Sequence, residues 1–484
     1  MKLRLYDSKT RDVTPLDPVE PGKVGIYLCG PTVQGSPHIG HLRAAVAFDV
    51  LIRWLYRNGV DVTYIRNITD IDDKILARAQ ERDQQWWEVA AQYEREFAAA
   101  YDKLGLLPPT FEPRATAHII DQIALIERLL KRGHAYTDGR GNVYFDVRSQ
   151  PDYGSLTNQR LEDMQSTEDP AQDSEDIASG KKDPRDFALW KAPKEGEPET
   201  AQWPAPWGVG RPGWHLECSA MSHRYLGETF DIHGGGLDLR FPHHENEQAQ
   251  SHAAGWDFAR RWVHNAWVTQ SWEKMAKSLG NTLSLENLLG QQPPAVVRLA
   301  LGTVHYRSMI EWDQETLPRA ADVWRRLGDF VVEAGAVAGQ PESVYLPADQ
   351  LPEGFAAAMD DDLNVAGAMA VIYEHMKLGR QAMREGDTRR VAEELLLVRS
   401  MLDVLGIDPG AANWAGPGGP GTAPATAKER QALDVLVNEA IDQRNQARVD
   451  RDWALADELR DRLSAAGIVI EDGPEGSTWK VNRD

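Results

Sequence analysis

Cys29 and Cys218 are the only thiols in this chain of 484 residues, and each stands beside residues that widen its chemistry. His243 and Glu247 follow Pro242, a residue suited to the first turn of a helix, and lie four positions apart. Their side chains therefore project from one helical face, as metal ligands on a helix do. Two thiolates, one imidazole and one carboxylate form a closed tetrahedral donor set suited to Zn²⁺. Taken singly, each cysteine reads equally well as a small buried hydrophobe; it is the combination that points to a metal.

A second group is Pro37-His38-Ile39-Gly40-His41, which follows a short apolar strand and opens a helix. Free backbone N–H groups and the positive end of the helix favour phosphate there, and Gly40 lets a flat ring approach the backbone. His38 and His41 share one turn, so both can donate to phosphate oxygens. A third group, Glu273 to Asn281 (EKMAKSLGN), sets Lys274 and Lys277 three apart on a glycine-terminated loop suited to closing over a triphosphate. Either pair alone is common on ordinary surfaces; together they define a nucleotide site. Gly234-Gly235-Gly236, after FDIH, reads as a turn free of side chains at which a ligand approaches, with Asp238 beyond it for ribose hydroxyls. Asp70, Asp72 and Asp73 read as a helix start, with Asp70 as N-cap, rather than as a metal triad.

The elements that must position these residues are legible in the apolar pattern. Val24, Ile26 and Leu28 alternate into a strand ending at Cys29, a helical run from Leu42 stops at Asn58-Gly59, and VDVTYIRNI forms a second strand. This is a right-handed βαβ unit of a doubly wound sheet, whose ligands bind beyond the carboxyl ends of the strands, where Cys29 and Thr69 fall. Residues 114–204 read as an insertion with a helix (His118 to Arg132), a hairpin (Ala135 to Val147) and a solvated acidic stretch from Glu162 to Asp176. Sheet-like sequence returns at Phe230 and at Asn265. Leu317 to Leu405 is helical with a boundary at Met359 to Asn364, a Gly/Pro linker spans 409–426, and a tail follows in which Leu455, Leu459 and Leu463 mark a helix and IVIEDGPEGSTWKV a hairpin.

The 53 Lys and Arg against 74 Asp and Glu give a net charge of −21, which excludes a histone-like binder while leaving room for a local basic groove. Two cysteines exclude a disulfide framework, so a reducing, cytoplasmic setting is expected. No run reaches the roughly 18 apolar residues of a membrane span.

The ordered strings PHIGH, RNITDIDDKI, GRPGWHLECSAM, FDIHGGGLDLRFPHHENEQAQS and EKMAKSLGN resemble the cysteinyl-tRNA synthetases of class I, over nearly the whole chain. The resemblance implies an α/β fold: a Rossmann-type doubly wound parallel sheet with an insertion, followed by a helical bundle and a small mixed α/β C-terminal domain. It divides the chain into a catalytic domain (1–113 and 205–255), an inserted connective domain (114–204), a stem-contact region with the lysine loop (256–316), a helical bundle (317–408), the linker (409–426) and an anticodon-binding domain (427–484). It implies tRNA(Cys), ATP and L-cysteine as partners, Mg²⁺ with the ATP, one Zn²⁺ per subunit, and a monomer. His38, Gly40, His41 and Asp238 then serve ATP, Lys274 and Lys277 the triphosphate, Gly30, Thr69, Trp214 and His233 the cysteine, and Cys29, Cys218, His243 and Glu247 the zinc, which reads the substrate sulfur. Ala276 stands where the family usually has serine, and Gln34-Gly35-Ser36 where it has an aromatic-rich segment. Two rival readings are a paralogous ligase that joins cysteine to an amino-sugar and a retired fold that serves as a binding module.

Overall fold

The amino-terminal residues form a hairpin, β1 (Arg4–Asp7) antiparallel to β2 (Asp12–Pro15). After it come β3 (Lys23–Leu28), α1 (Ile39–Arg57) and β4 (Asp61–Arg66), which lies parallel to β3. Parallel neighbours need a long crossover, and α1 supplies it by burying Leu42, Val46, Phe48, Leu51 and Trp54. Gly59, at φ 70°, ends the turn beyond the helix. The computed structural model describes residues 2–164, 180–270, 273–274, 283–414, 427–450, 452–465, 468–473 and 476–481. Lys277, Ala276, residues 165–176 of the acidic stretch and residues 415–426 of the linker lie outside the described residues.

Next come α2 (Asp73–Glu81), α3 (Trp86–Lys103) and α4 (Ile119–Arg132). The N-cap of α2 is Asp72, not Asp70: the backbone is still extended at Asp72, whose carboxylate accepts the Lys74 N–H. Asp70 instead accepts the Thr116 N–H at 2.9 Å and its hydroxyl at 2.5 Å, which ties the end of β4 to the chain entering α4. Within the insertion, β5 (Ala135–Thr137), β6 (Val143–Phe145) and β7 (Phe187–Lys191) form an antiparallel sheet, which β8 (Arg211–Pro212) completes from beyond residue 204. Its Phe145, Phe187 and Trp190 share one core with Ile126 and Leu129 of α4 and with Leu216 and Ala220 of α5 (Trp214–Leu226).

β9 (Thr229–Gly236), α6 (Glu245–Ala254) and β10 (Phe258–Asn265) complete the main sheet, a four-stranded parallel array in the order β10-β9-β3-β4. Two expectations change here. Gly234, Gly235 and Gly236 do not make a turn after the strand: they are its last three residues, paired with Val263, His264 and Asn265. A Cβ at Gly234 would run into the Phe48 ring, so the glycines let α1 lie close against the sheet. The sheet also continues past residue 255, where the resemblance implies that the catalytic domain ends. The arginines of FARRWVHN break the apolar pattern of β10, yet Arg261 is buried and donates to the carbonyls of Leu5 and Pro15 in the hairpin.

A small sheet joins β11 (Val268–Gln270) to β12 (Glu273–Lys274) and to β13 (Ile310–Glu311), with α7 (Leu285–Leu289) and α8 (Pro294–Gly302) between them. Helices α9 (Thr316–Ala338), α10 (Glu353–Asp360), α11 (Val365–Glu385) and α12 (Thr388–Val404) form the bundle. The break between α10 and α11 falls at the expected MDDDLN boundary. There Asp362, at φ 56°, accepts the Tyr6 N–H and the Tyr306 hydroxyl.

The chain divides into two units, Met1–Asn413 and Trp414–Asp484. In the second, α13 (Ala427–Val449), α14 (Trp453–Ala465) and the hairpin β14 (Ile468–Gly473) with β15 (Gly476–Val481) enclose Val437, Ile441, Leu463 and Ile468. Leu459 and Leu463 are buried as their spacing predicts, whereas Leu455 is exposed.

Candidate active site

Cys29 leaves the carboxyl end of β3, Cys218 lies in the second turn of α5, and His243 and Glu247 lie on the turn entering α6 and on its first turn. The fold closes these four onto one point. The sulfurs of Cys29 and Cys218 are 3.8 Å apart, Cys29 Sγ is 3.4 Å from Glu247 Oε1, and His243 Nε2 is 3.1 Å from the same oxygen. All four donor atoms lie within 4.8 Å of one another, so the group could hold a metal ion. Burial pushes both thiols up, and Cys29 is raised further by Cys218 and Glu247. A cation among them would reverse that balance, because coordinated thiols are deprotonated outright.

A ring of side chains orients this group. Trp214 stacks on the His243 imidazole at 4.1 Å between centroids, and His215 Nδ1 lies 3.0 Å from His243 Nδ1, so Nε2 of His243 faces the carboxylate. Burial, with the nearby Lys191 charge, holds His215 down at about 3, and burial does the same to His243. Both rings are neutral, as ligation by His243 requires. Glu247 Oε2 is 2.8 Å from His233 Nε2, and His244 continues through His264 to the Ser8 hydroxyl, with steps of 2.8 and 2.7 Å. His233 and His244 form a second group with Cys29 and Glu247. Neither His215, His244, His264 nor Ser8 is singled out by the sequence motifs; the only signal is the density of histidine in PHHENE and WVHN.

Beside the donors, Gly30 donates its N–H to Asn67 Oδ1 at 2.8 Å, and a Cβ there would collide with the Asn67 carbonyl, so only glycine fits. Thr69 donates its hydroxyl to Glu217 Oε2 at 3.0 Å and accepts from Asn67 Nδ2 at 3.3 Å. Burial raises the Glu217 carboxyl well above its usual range, and Asp72 adds to this. Asn67 and Glu217 are again partners that only the tertiary structure reveals. Trp214 and His233 thus touch the donors directly, whereas Gly30 follows Cys29 in the chain and Thr69 is bonded to Glu217, the neighbour of Cys218.

His38 caps α1. Its Nδ1 accepts the Gly40 N–H at 3.2 Å, and the His38 N–H donates to His41 Nδ1 at 3.3 Å. The two rings stack at 3.7 Å. With both Nδ1 atoms accepting, each neutral ring carries its proton on Nε2, a donor suited to an anion. No acid occupies the first turn of α1. Asp238 lies just past β9 in a short 3₁₀ turn. The backbone of Lys274 lies in β12, paired with Thr269.

Residues 15–322 match the model of the tRNA synthetases class I (C) catalytic domain, residues 354–407 the DALR domain and residues 430–479 the cysteinyl-tRNA ligase anticodon binding domain. A cysteine–tRNA ligase of Beutenbergia cavernae is 57% identical over 484 residues, covering 99% of each chain. The chain belongs to the cysteine–tRNA ligase family. Another member, from Streptomyces avermitilis, is 50% identical over 481 residues, with 99% of each chain covered. The fold is shared more widely. The methionyl-tRNA synthetase of Mycobacterium tuberculosis in complex with methionyl-adenylate superposes with a TM-score of 0.57 at 15% identity, over 84% of this chain and 92% of that one. The class I α/β architecture of the family is therefore the architecture of this chain. Among the described residues, no helix is long and apolar enough to cross a membrane.

Proposed function

We propose that this chain is a cysteine–tRNA ligase that activates L-cysteine with ATP and transfers it to the terminal adenosine of tRNA(Cys). The observation that carries the reading is the four-donor group of Cys29, Cys218, His243 and Glu247, with Cys29 at the carboxyl end of β3. The donor set fits zinc: two sulfurs about 2.3 Å from a tetrahedral centre stand about 3.8 Å apart, which agrees with the 3.8 Å between Cys29 and Cys218. When bound, zinc supplies a soft centre for the substrate thiolate that the harder hydroxyl of serine does not satisfy.

The chain's own residues do the rest. In the first step a cysteine carboxylate oxygen attacks the α-phosphorus, the bond to the bridging oxygen breaks, and pyrophosphate leaves with Mg²⁺. His38 and His41 donate from Nε2 to the phosphate oxygens, Gly40 and Asp238 border the nucleoside, and Lys274 with Lys277 balances the triphosphate charge. In the second step a ribose hydroxyl attacks the acyl carbon and AMP leaves. Gly30, Thr69, Trp214 and His233 position the cysteine. No protein nucleophile is needed, because positioning and charge carry the catalysis. The match of residues 430–479 favours tRNA over an amino-sugar as acceptor.

The test is cysteine-dependent ATP–pyrophosphate exchange together with transfer of labelled cysteine, with tRNA and an amino-sugar offered in parallel. Exchange with label on tRNA is expected. Label on the amino-sugar alone would move the activity to the paralogue, and loss of both exchange and transfer would mark a retired site.

A further inference from the structure

Arg43 lies one turn inside α1, the helix that His38 caps and that carries His41, and it is buried. Burial lowers its guanidinium to about 10, and no carboxylate among the described residues opposes this. Instead the guanidinium donates to three carbonyls, those of Leu301 at the end of α8 and of Val304 and His305 just beyond it, the latter two at 2.9 and 2.7 Å. A cation is favoured at such a helix end. The same short segment carries the base of the lysine loop. The Tyr306 carbonyl accepts the Ala266 N–H at 2.8 Å, Ile310 donates to the Trp267 carbonyl at 3.0 Å, and Trp312 donates to that of Thr269 at 2.7 Å. β11, which leads to Lys274, therefore rests on residues 306–312. Where the chain returns from the loop, the Leu283 carbonyl accepts the Ile39 N–H of α1 at 3.1 Å.

Asp362, at the break between α10 and α11, grips this segment by its side chains. Its carboxylate accepts the Tyr306 hydroxyl and the Arg307 Nε–H, the second at 2.7 Å, and His305 Nε2 stands 3.6 Å away. Three consecutive residues thus converge on one buried acid, which also accepts the Tyr6 N–H at 2.8 Å. Asp362 and Leu363 both hold a left-handed backbone, at φ 56° and 55°, a conformation that persists only where the surroundings fix it. We infer that Asp362 is a positioning residue for the adenylation step: by fixing residues 305–307 it sets the carbonyls that hold Arg43 and Ala266, and so the separation between the histidine pair of α1 and the strand that enters the lysine loop. The inference rests on the ligase reading, which supplies the step. Charge that develops on the transferred phosphoryl is stabilised by donors already in place, so a shift of this segment is felt in the transition state and not in the hold on cysteine.

The experiment uses the full-length chain and follows cysteine-dependent pyrophosphate exchange beside the deuteration rates of residues 39–43 and 266–270. Asp362→Asn keeps the size of the side chain and removes its charge; Arg43→Lys keeps a charge and removes the fork of donors. Asp362→Asn is expected to lower kcat about 10- to 100-fold, with KM for cysteine and retention of the metal unchanged, and to speed deuteration of both segments. Because Asp362 acts through Arg43, the Asp362→Asn/Arg43→Lys double variant should lose no more than the worse single variant, and losses that multiply would overturn the link. An unchanged kcat, or a KM for cysteine that rises in step with the loss, would overturn it too. Where circular dichroism shows that Asp362→Asn does not fold, Tyr306→Phe, which deletes one hydroxyl from the same group, carries the same expectations at smaller size. Absence of pyrophosphate exchange in the wild type would overturn the ligase reading instead. Deuteration would still decide the link, since equal protection in wild type and variant overturns it.

Discussion

His243 is gripped from three sides: Trp214 stacks on its ring, His215 meets its Nδ1, and Glu247 stands at its Nε2. Partners of this kind fix the tautomer and direction of a ligating imidazole, and removing one costs about 10–100-fold in metal affinity. His215→Ala should weaken retention of the metal by that factor while leaving the four donors in place, as measured by competition with a chromophoric chelator. Undiminished affinity would reduce His215 to core packing. The donors themselves are legible in sequence because the chain has only two cysteines and because His243 and Glu247 lie four positions apart. His215, Asn67, Glu217, His264 and Ser8 are not, since the partners that place them at the site lie 20 to 256 positions away.

Asp73, the first residue of α2, is bound by Lys191 at 2.9 Å, Lys194 at 2.8 Å and Arg211 at 2.5 Å, all from the inserted sheet and the chain beside it. Burial alone would raise its carboxyl, but the charges of Lys191 and Arg211, with the Lys194 hydrogen bond, outweigh it and hold the group below the carboxylate range. A depressed folded value stabilises above the unfolded value near 3.9, and that stability is lost as pH falls through the folded value. Asp73→Asn takes the anion from buried Lys191, while Arg211 keeps Glu197 at 3.1 Å; removing one partner of a buried pair typically costs about 3–5 kcal/mol. Urea unfolding at pH 7 should show this loss, and the gap between variant and wild type should narrow as pH falls below about 4. A constant gap would mean that the hydrogen bonds, not the charge, hold the insertion. The elements joined here are legible as helix and sheet, yet the cap is Asp72 rather than Asp70, because Asp70 spends its carboxylate on Thr116. β10 escapes the sequence pattern for a related reason: a buried arginine that serves backbone carbonyls looks, in sequence, like a solvated one. The glycines of β9 mislead in the opposite direction, since a residue that permits a turn also permits close packing.

At the scale of the whole chain, the division into Met1–Asn413 and Trp414–Asp484 separates the four-donor group from the residues that match the anticodon-binding model. The tail from residue 427 carries 9 basic and 13 acidic residues, so its grip on RNA cannot come from net charge and must come from particular side chains. Of its arginines, Arg460 is paired with Asp457 and Asp461 and Arg444 is buried, whereas Arg448 is exposed and Arg451 lies outside the described residues. Each base that goes unread costs about 1–3 kcal/mol, and about 2.7 kcal/mol is a hundredfold in binding. A chain ending at Asn413 keeps the parallel sheet, the donor group and the bundle, all of which lie within the first unit. Cysteine-dependent pyrophosphate exchange should therefore persist at close to the full-length rate, while kcat/KM for tRNA(Cys) falls on the order of 10²-fold or more. Full transfer activity in the shortened chain would assign tRNA discrimination to the first unit. Loss of exchange with a lowered Tm would instead show that the first unit needs the second in order to fold, a result that circular dichroism melts of both chains would separate from weakened RNA binding.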